Sequence, residues 1–160
     1  MPVSRGYTKG SVPHFSAAVM VRQQAEELLP QISAWLEQAI EQKKQVEKFE
    51  IELRRLAQKI LMSGGIVLDY EQAAGWKMNR DRAGESVRSS LEQIQETGCV
   101  VKDLEIGLVD FPAILENEHV YLCWKLGEDS IRWWHRTDEG FSGRKPLAPP
   151  FPDHTKRRPM

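Results

Sequence analysis

Between Ala18 and Ile60 the apolar residues recur at alternating steps of three and four. They are Ala18, Val21, Ala25, Leu28, Ile32, Trp35 and Ala39, then, past a polar break at Gln42, Val46, Phe49, Leu53, Leu56 and Ile60. A helix brings such positions onto one face, and a stripe this long carries the repeat of a coiled-coil seam. At about 1.5 Å per residue, an unbroken helix over this stretch measures on the order of 65 Å. Ser16 stands where an N-cap is needed, and Gly64 and Gly65 end the pattern. Pro30 interrupts it, lacking a backbone donor and crowding the carbonyl of Glu26, at a cost of about 3 kcal/mol in a regular helix. Because the stripe keeps its phase through Pro30, the sequence predicts one long, kinked helix. The alternative is a short helix ending near Leu28 and a second starting at Pro30, where proline is tolerated as a first helical residue.

A shorter helix is predicted over residues 80–97, with Val87, Leu91 and Ile94 on one face, Asn79 as its cap and Gly98 as its stop; residues 66–78 read as a connector, with room for a short turn of helix around Glu71 to Ala74. A partner that short leaves part of the long seam uncovered, and an exposed apolar seam is an association site. The same helix from a second copy is the simplest cover, so a homodimer through the long helix is expected.

After Gly98 the pattern changes to period two. Candidate strands at 100–104, 108–114, 119–126 and 131–136 are joined by short links, which makes them sequential antiparallel neighbours. The expected fold class is α+β: a long kinked helix and a shorter one packed on a four-stranded antiparallel β-meander. Residues 1–15, with Pro2, Gly6, Gly10 and Pro13, read as an irregular arm. Residues 16–144 read as one domain, helical over 16–97 with the meander at 100–136, and 145–160 as a proline-rich, basic tail.

Charge narrows the partners. The formal net charge is -1, so the general basic excess that draws a protein to nucleic acid is lacking. No run approaches the ~20 apolar residues that span a bilayer, and the N-terminus lacks the apolar core of a secretory signal. Neither nucleic acid nor membrane is expected as a partner. The two cysteines, Cys99 and Cys123, form no metal pattern and no disulfide framework, which suits a reduced, cytoplasmic protein.

Closing each turn at its shortest places Lys102 opposite Asp110, Asp110 opposite Trp124 and Trp124 opposite Trp133. One face then carries Val100, Lys102, Leu104, Leu108, Asp110, Pro112, Leu122, Trp124, Leu126, Ile131, Trp133 and His135. It is the more apolar face and is expected to pack on the helices. Charged residues are seldom buried without partners, so Lys102 and Asp110 read first as an ion pair fixing the register. Pro112, which cannot donate to a ladder, falls opposite Val100 at the start of the first strand. The second reading is a ligand-anchoring pair in a cleft walled by Trp124, Trp133 and His135. Arg144, following Gly140 and Gly143, would add a forked donor for a small anionic ligand.

The same register argues against a metal. It puts Cys123 and His135 on opposite faces and the backbones of Asp110 and His135 about 12 Å apart, too far for ligand bonds of ~2.0–2.3 Å. No metal and no cofactor are therefore expected. There is no GxSxG, phosphate loop or dinucleotide fingerprint, and no base is placed beside Cys123. The residues favour a small non-enzymatic protein that self-associates or binds a partner. The competing reading is a binder of a small anionic ligand, or an unrecognised enzyme, using Lys102, Asp110, His135 and Arg144.

Several stretches together carry a resemblance: Glu26-Glu27-Leu28-Leu29-Pro30, the run Gly98-Cys99-Val100-Val101-Lys102-Asp103, the stretch from Gly107 to Pro112, Trp134-His135, and Gly140-Phe141 with Gly143-Arg144. In that order they resemble the bacterial family catalogued as domain of unknown function 2203. The resemblance covers nearly the whole chain and implies a cytoplasmic protein of helical-plus-sheet build, with no assigned activity. The proline-rich, basic C-terminal tail departs from the family pattern.

Overall fold

The computed structural model describes residues 20–64 and 70–147. The N-terminal arm with Ser16 and Ala18, residues 65–69 and the end of the chain from 148 lie outside the described residues. Two helices, α1 (Arg22–Ser63) and α2 (Tyr70–Glu96), are followed by strands β1 (Val100–Asp103), β2 (Leu108–Leu115), β3 (Glu118–Lys125), β4 (Trp133–Arg136) and β5 (Lys145–Pro146). The strands form one antiparallel sheet in chain order. This is the expected α+β class, with five strands among the described residues instead of four. The fifth comes from Lys145–Pro146, the start of the segment read as tail, and Leu147 N–H donates to the Arg132 carbonyl at 2.8 Å.

The heptad stripe forms α1 as a single helix of 42 residues, with Pro30 inside it and exposed. Val21 precedes its first turn, and the Val21 N–H is taken by Gln24 Oε1 at 3.0 Å. Gly64 closes the helix in the left-handed region at φ 67°, as a C-terminal glycine commonly does. Replacing Pro30 with Ala restores a backbone donor and removes the ring clash, a gain of up to about 3 kcal/mol. Greater freedom of the unfolded chain takes back roughly 0.4–1 kcal/mol. A net stabilisation of about 2 kcal/mol in urea melts is expected for Pro30→Ala; a midpoint no higher than wild type would refute it.

The second helix starts nine residues before the expected cap, so Asn79 lies mid-helix and residues 70–78 are not a loop. Its seam runs Ala73, Trp76, Arg80, Ala83, Val87, Ser90 and Ile94, all buried or half-buried at steps of three and four. Small and polar residues at four of these positions hide the period from a hydrophobicity reading.

Only the first turns of α1 lie on the sheet. Ala25, Leu29, Ile32 and Leu36, with Ile94 of α2, pack against Val109, Phe111, Ala113, Val120, Leu122 and Trp124. Lys43 reaches Glu105, in the β1–β2 turn, at 3.3 Å. From Ala39 to Ser63, on the order of 35 Å at 1.5 Å per residue, α1 lines up with α2 as a two-helix arm. None of the described helices is long and apolar enough to cross a membrane.

The register differs from the expected one by a residue on either side of β3 and by two residues between β1 and β2. The β2–β3 hairpin closes through Glu116 and Asn117, both at positive φ (49° and 65°), a two-residue turn that fixes Leu115 opposite Glu118. Asp110 therefore faces Cys123 and not Trp124, and Cys123, not Trp124, faces Trp133. At the other edge Val100, not Lys102, faces Asp110, because a bulge between Val101 and Asp103 takes up Lys102 as an extra residue. A slip of one residue exchanges the faces of a strand. The face on the helices thus carries Val109, Phe111 and Ala113, while Leu108, Asp110, Pro112, Trp133 and His135 turn to the outer face. Pro112 lies opposite Tyr121, two residues past the start of β1. Its carbonyl accepts from Met20 N–H on the edge side at 3.1 Å, so its missing donor costs the ladder to β3 nothing.

Candidate functional site

Three neighbouring strands bring Asp110, Cys123 and His135 together on the outer face. Asp110 on β2 stands opposite Cys123 on β3. Cys123 stands opposite Trp133 on β4, and His135, two residues further on, stands opposite Tyr121. All three are sealed from solvent, Asp110 at 1 % and His135 at 2 % exposure, with Cys123 fully buried.

The hydrogen bonds define the proton positions. His135 Nδ1 lies 2.7 Å from the Arg136 carbonyl oxygen, which can only accept, so Nδ1 carries a proton and donates it. Nε2 lies 3.0 Å from Asp110 Oδ2. One proton sits between them, either as imidazolium against carboxylate or as imidazole against carboxylic acid. Burial pushes the Asp110 pKa above the ordinary aspartate range, opposed by the charges of His135 and Lys102. Asp110 Oδ1 is buried and has no hydrogen-bond partner.

Cys123 is the reverse of an activated nucleophile. Burial, seconded by the neighbouring Asp110 charge, raises its thiol to about 12, whereas reactive cysteines sit well below the free value of about 8.5. Both ring nitrogens of His135 are engaged, by Asp110 and by a backbone carbonyl, so the imidazole is not free to take the thiol proton, and the Asp110 carboxyl facing the thiol raises it further. Cys99, buried under the helices, is raised to about 11 by burial.

The six residues singled out in the sequence divide. Asp110 and His135 are in side-chain contact, with Nε2 3.0 Å from Oδ2, across the expected offset of two strands and two residues; that backbone spacing therefore does not keep their side chains apart. Lys102 is exposed at the bulge, 5.7 Å from the Tyr121 ring, and is not the ion-pair partner of Asp110; that place belongs to His135. Trp133 lies at the rim, with the Arg144 guanidinium stacked 4.8 Å from its ring. Arg144 Nη2 donates to Glu128 Oε1 at 3.0 Å, so the forked donor proposed for an anion is held by a carboxylate of the chain itself. Trp124 is on the opposite face, in the helix-packed core, its Nε1–H donating to the Glu128 carbonyl.

Cys123 is the residue that the sequence reading set aside. Only in the slipped register do Cys123 and His135 fall on opposite faces; in the observed one they share a face. The Cys123 Sγ, the His135 ring nitrogen and an Asp110 oxygen lie within 4.8 Å of one another. The signal that could have found it is Asn117, a residue that tolerates the left-handed region and marks a two-residue turn.

No curated protein and no solved structure matches the chain. The family described as "Uncharacterized conserved protein (DUF2203)" matches residues 20–147. That span takes in the sheet with Asp110, Cys123 and His135, the Arg144–Glu128 pair and all of the described helical arm, so the chain belongs to that family.

Proposed function

We propose that this protein is a non-enzymatic, self-associating module of the cytoplasm, which dimerises by packing its helical arm against the arm of a second copy. The observation that carries this reading is the state of the seam. On the sheet, Ala25, Ile32 and Leu36 are fully buried. Along the arm, Val46, Phe49, Leu53, Leu56 and Ile60 of α1, with Ala73 and Trp76 of α2, are only half-buried. Two helices shield one side of such a seam; four shield it all round. At the tip Leu61 and Met62 are 83 % and 89 % exposed.

A second copy suits the surface, because both charge signs are interspersed along the arm and a twofold contact sets each patch against itself. Buried, unpaired Cys99 and Cys123 fit a reducing compartment. The raised thiol of Cys123 and the engaged His135 favour a non-enzymatic role. An anionic ligand draws less support, since Arg144 is already bound to Glu128.

Chromatography with light scattering is expected to give twice the chain mass at micromolar concentration. Leu53→Glu is expected to shift the mass to that of one chain with the helical circular dichroism retained. A wild-type monomer, or a Leu53→Glu protein that stays dimeric, would defeat the proposal.

A further inference from the structure

Asp110, Cys123 and His135 supply one oxygen, one sulfur and one nitrogen donor from three adjacent strands, on the face of the sheet turned away from the helices. We propose that they are the three protein ligands of a divalent transition-metal ion of zinc-like, borderline softness. The geometry of His135 already has the form of a metal-bound imidazole. Its Nδ1–H is given to the Arg136 carbonyl, which fixes the ring and turns Nε2 towards Asp110. Ligating histidines are characteristically oriented by such a second hydrogen bond. Asp110 brings an independent indication: Oδ1 is buried without a partner, a costly state for a carboxyl oxygen and one that a cation relieves.

Charge and size agree. A thiolate, a carboxylate and a neutral imidazole balance a divalent ion, and the adjoining Arg144–Glu128 pair is neutral by itself. Lys102 is exposed and free to turn its ammonium towards water. Bonds of ~2.0–2.3 Å in a tetrahedron put ligand atoms about 3.3–3.8 Å apart. The donors here lie within 4.8 Å, with the Nε2–Oδ2 pair at 3.0 Å. Side-chain movements of about 1 Å therefore form the site. Formation of the metal–sulfur bond releases the Cys123 proton to solvent, and the proton between Asp110 and His135 leaves when both bind the metal. A fourth position remains for water or an exchangeable ligand, as in zinc sites with three protein ligands.

Cobalt(II) reports on this directly. Full-length protein stripped with chelator and titrated with cobalt chloride is expected to bind one equivalent. A thiolate-to-cobalt charge-transfer band and the visible absorption of a tetrahedral ion should appear, and zinc should displace both. Cys123→Ser is expected to abolish the charge-transfer band, and Cys99→Ser to leave it intact. Should Cys123→Ser fail to fold by circular dichroism, Asp110→Asn decides instead. Its cobalt affinity is expected to fall by more than about tenfold, the least that loss even of an outer-shell partner costs. No band in the wild type, a band that survives Cys123→Ser, a band lost in Cys99→Ser, or unchanged affinity in Asp110→Asn would overturn the site and leave the three residues as a structural pin. The oligomeric state does not enter this test, so its result and that of the arm are separable.

Discussion

Replacing His135 with Leu is expected to lower the stability of chelator-treated protein by about 3–5 kcal/mol near neutral pH, the cost of breaking a buried ionisable pair from one side. Leucine approximates the ring's bulk, so the loss comes chiefly from Asp110, which stays at 1 % exposure without the imidazole that its Oδ2 meets at 3.0 Å. Two further measurements identify this cause. The double variant Asp110→Leu/His135→Leu removes both polar partners and is expected to cost less than His135→Leu alone, a favourable coupling in a double-mutant cycle. The pH dependence has a definite sign. Burial raises the folded pKa of Asp110 above its unfolded value, so the stability this group contributes is full below the ordinary aspartate range and lost as pH rises through the folded value. The deficit of His135→Leu is therefore greatest at neutral pH and narrows in acid. A deficit independent of pH, or a double variant worse than the sum of the singles, would show that the cost arises from packing instead.

Gly107→Ala is expected to cost about 3–4 kcal/mol, from two sources that add. Gly107 sits at φ 67° in the β1–β2 turn, where a side chain strains the backbone by about 1–2 kcal/mol. A Cβ there would also lie 2.5 Å from the Cβ of Leu126, and overpacking a filled space costs typically 1–3 kcal/mol. Neither partner can yield easily, because the Gly107 carbonyl accepts from Leu126 N–H at 2.9 Å and ties the turn to the end of β3. Gly127→Ala is the control. Its φ is 101°, but an added Cβ meets nothing within 4 Å, so it carries the backbone term alone and its urea midpoint should fall less. Equal losses for the two variants would refute the role given to Leu126.

The helical half was legible where large apolar residues mark the seam. Ala25, Ile32 and Ala39 of the stripe are buried, while Leu28 and Trp35 are half-buried and the neighbouring Leu29 and Leu36 take the core places. The first ten residues of α2 were not legible, because its seam there offers Ala73, Trp76 and Arg80, a contrast too weak to show period. In the sheet, the strands could be read and their partners could not. Closing each turn at the shortest length ignored the meaning of Asn117 and the room for a bulge at Lys102. Alternation kept Leu122 and Trp124 on the helix side and Asp110 with His135, but turned β3 over against both neighbours, separating Cys123 from His135, and gave Asp110 Lys102 as its cation. The residue types at the site were recognised as unusual; the place of Cys123 among them depended on the turns at the two ends of β3.

The two borders of the sheet bear on how copies of this chain can meet. On one side, β1 is only four residues long and is bent by the lysine bulge, and the part of β2 that outruns it is occupied by the backbone of Met20. On the other, β5 has two residues, the second a proline with no donor to offer. Short, kinked or proline-bearing margins do not template the addition of further strands. Neither margin of the described sheet therefore offers a template on which copies could stack into a growing β-ribbon.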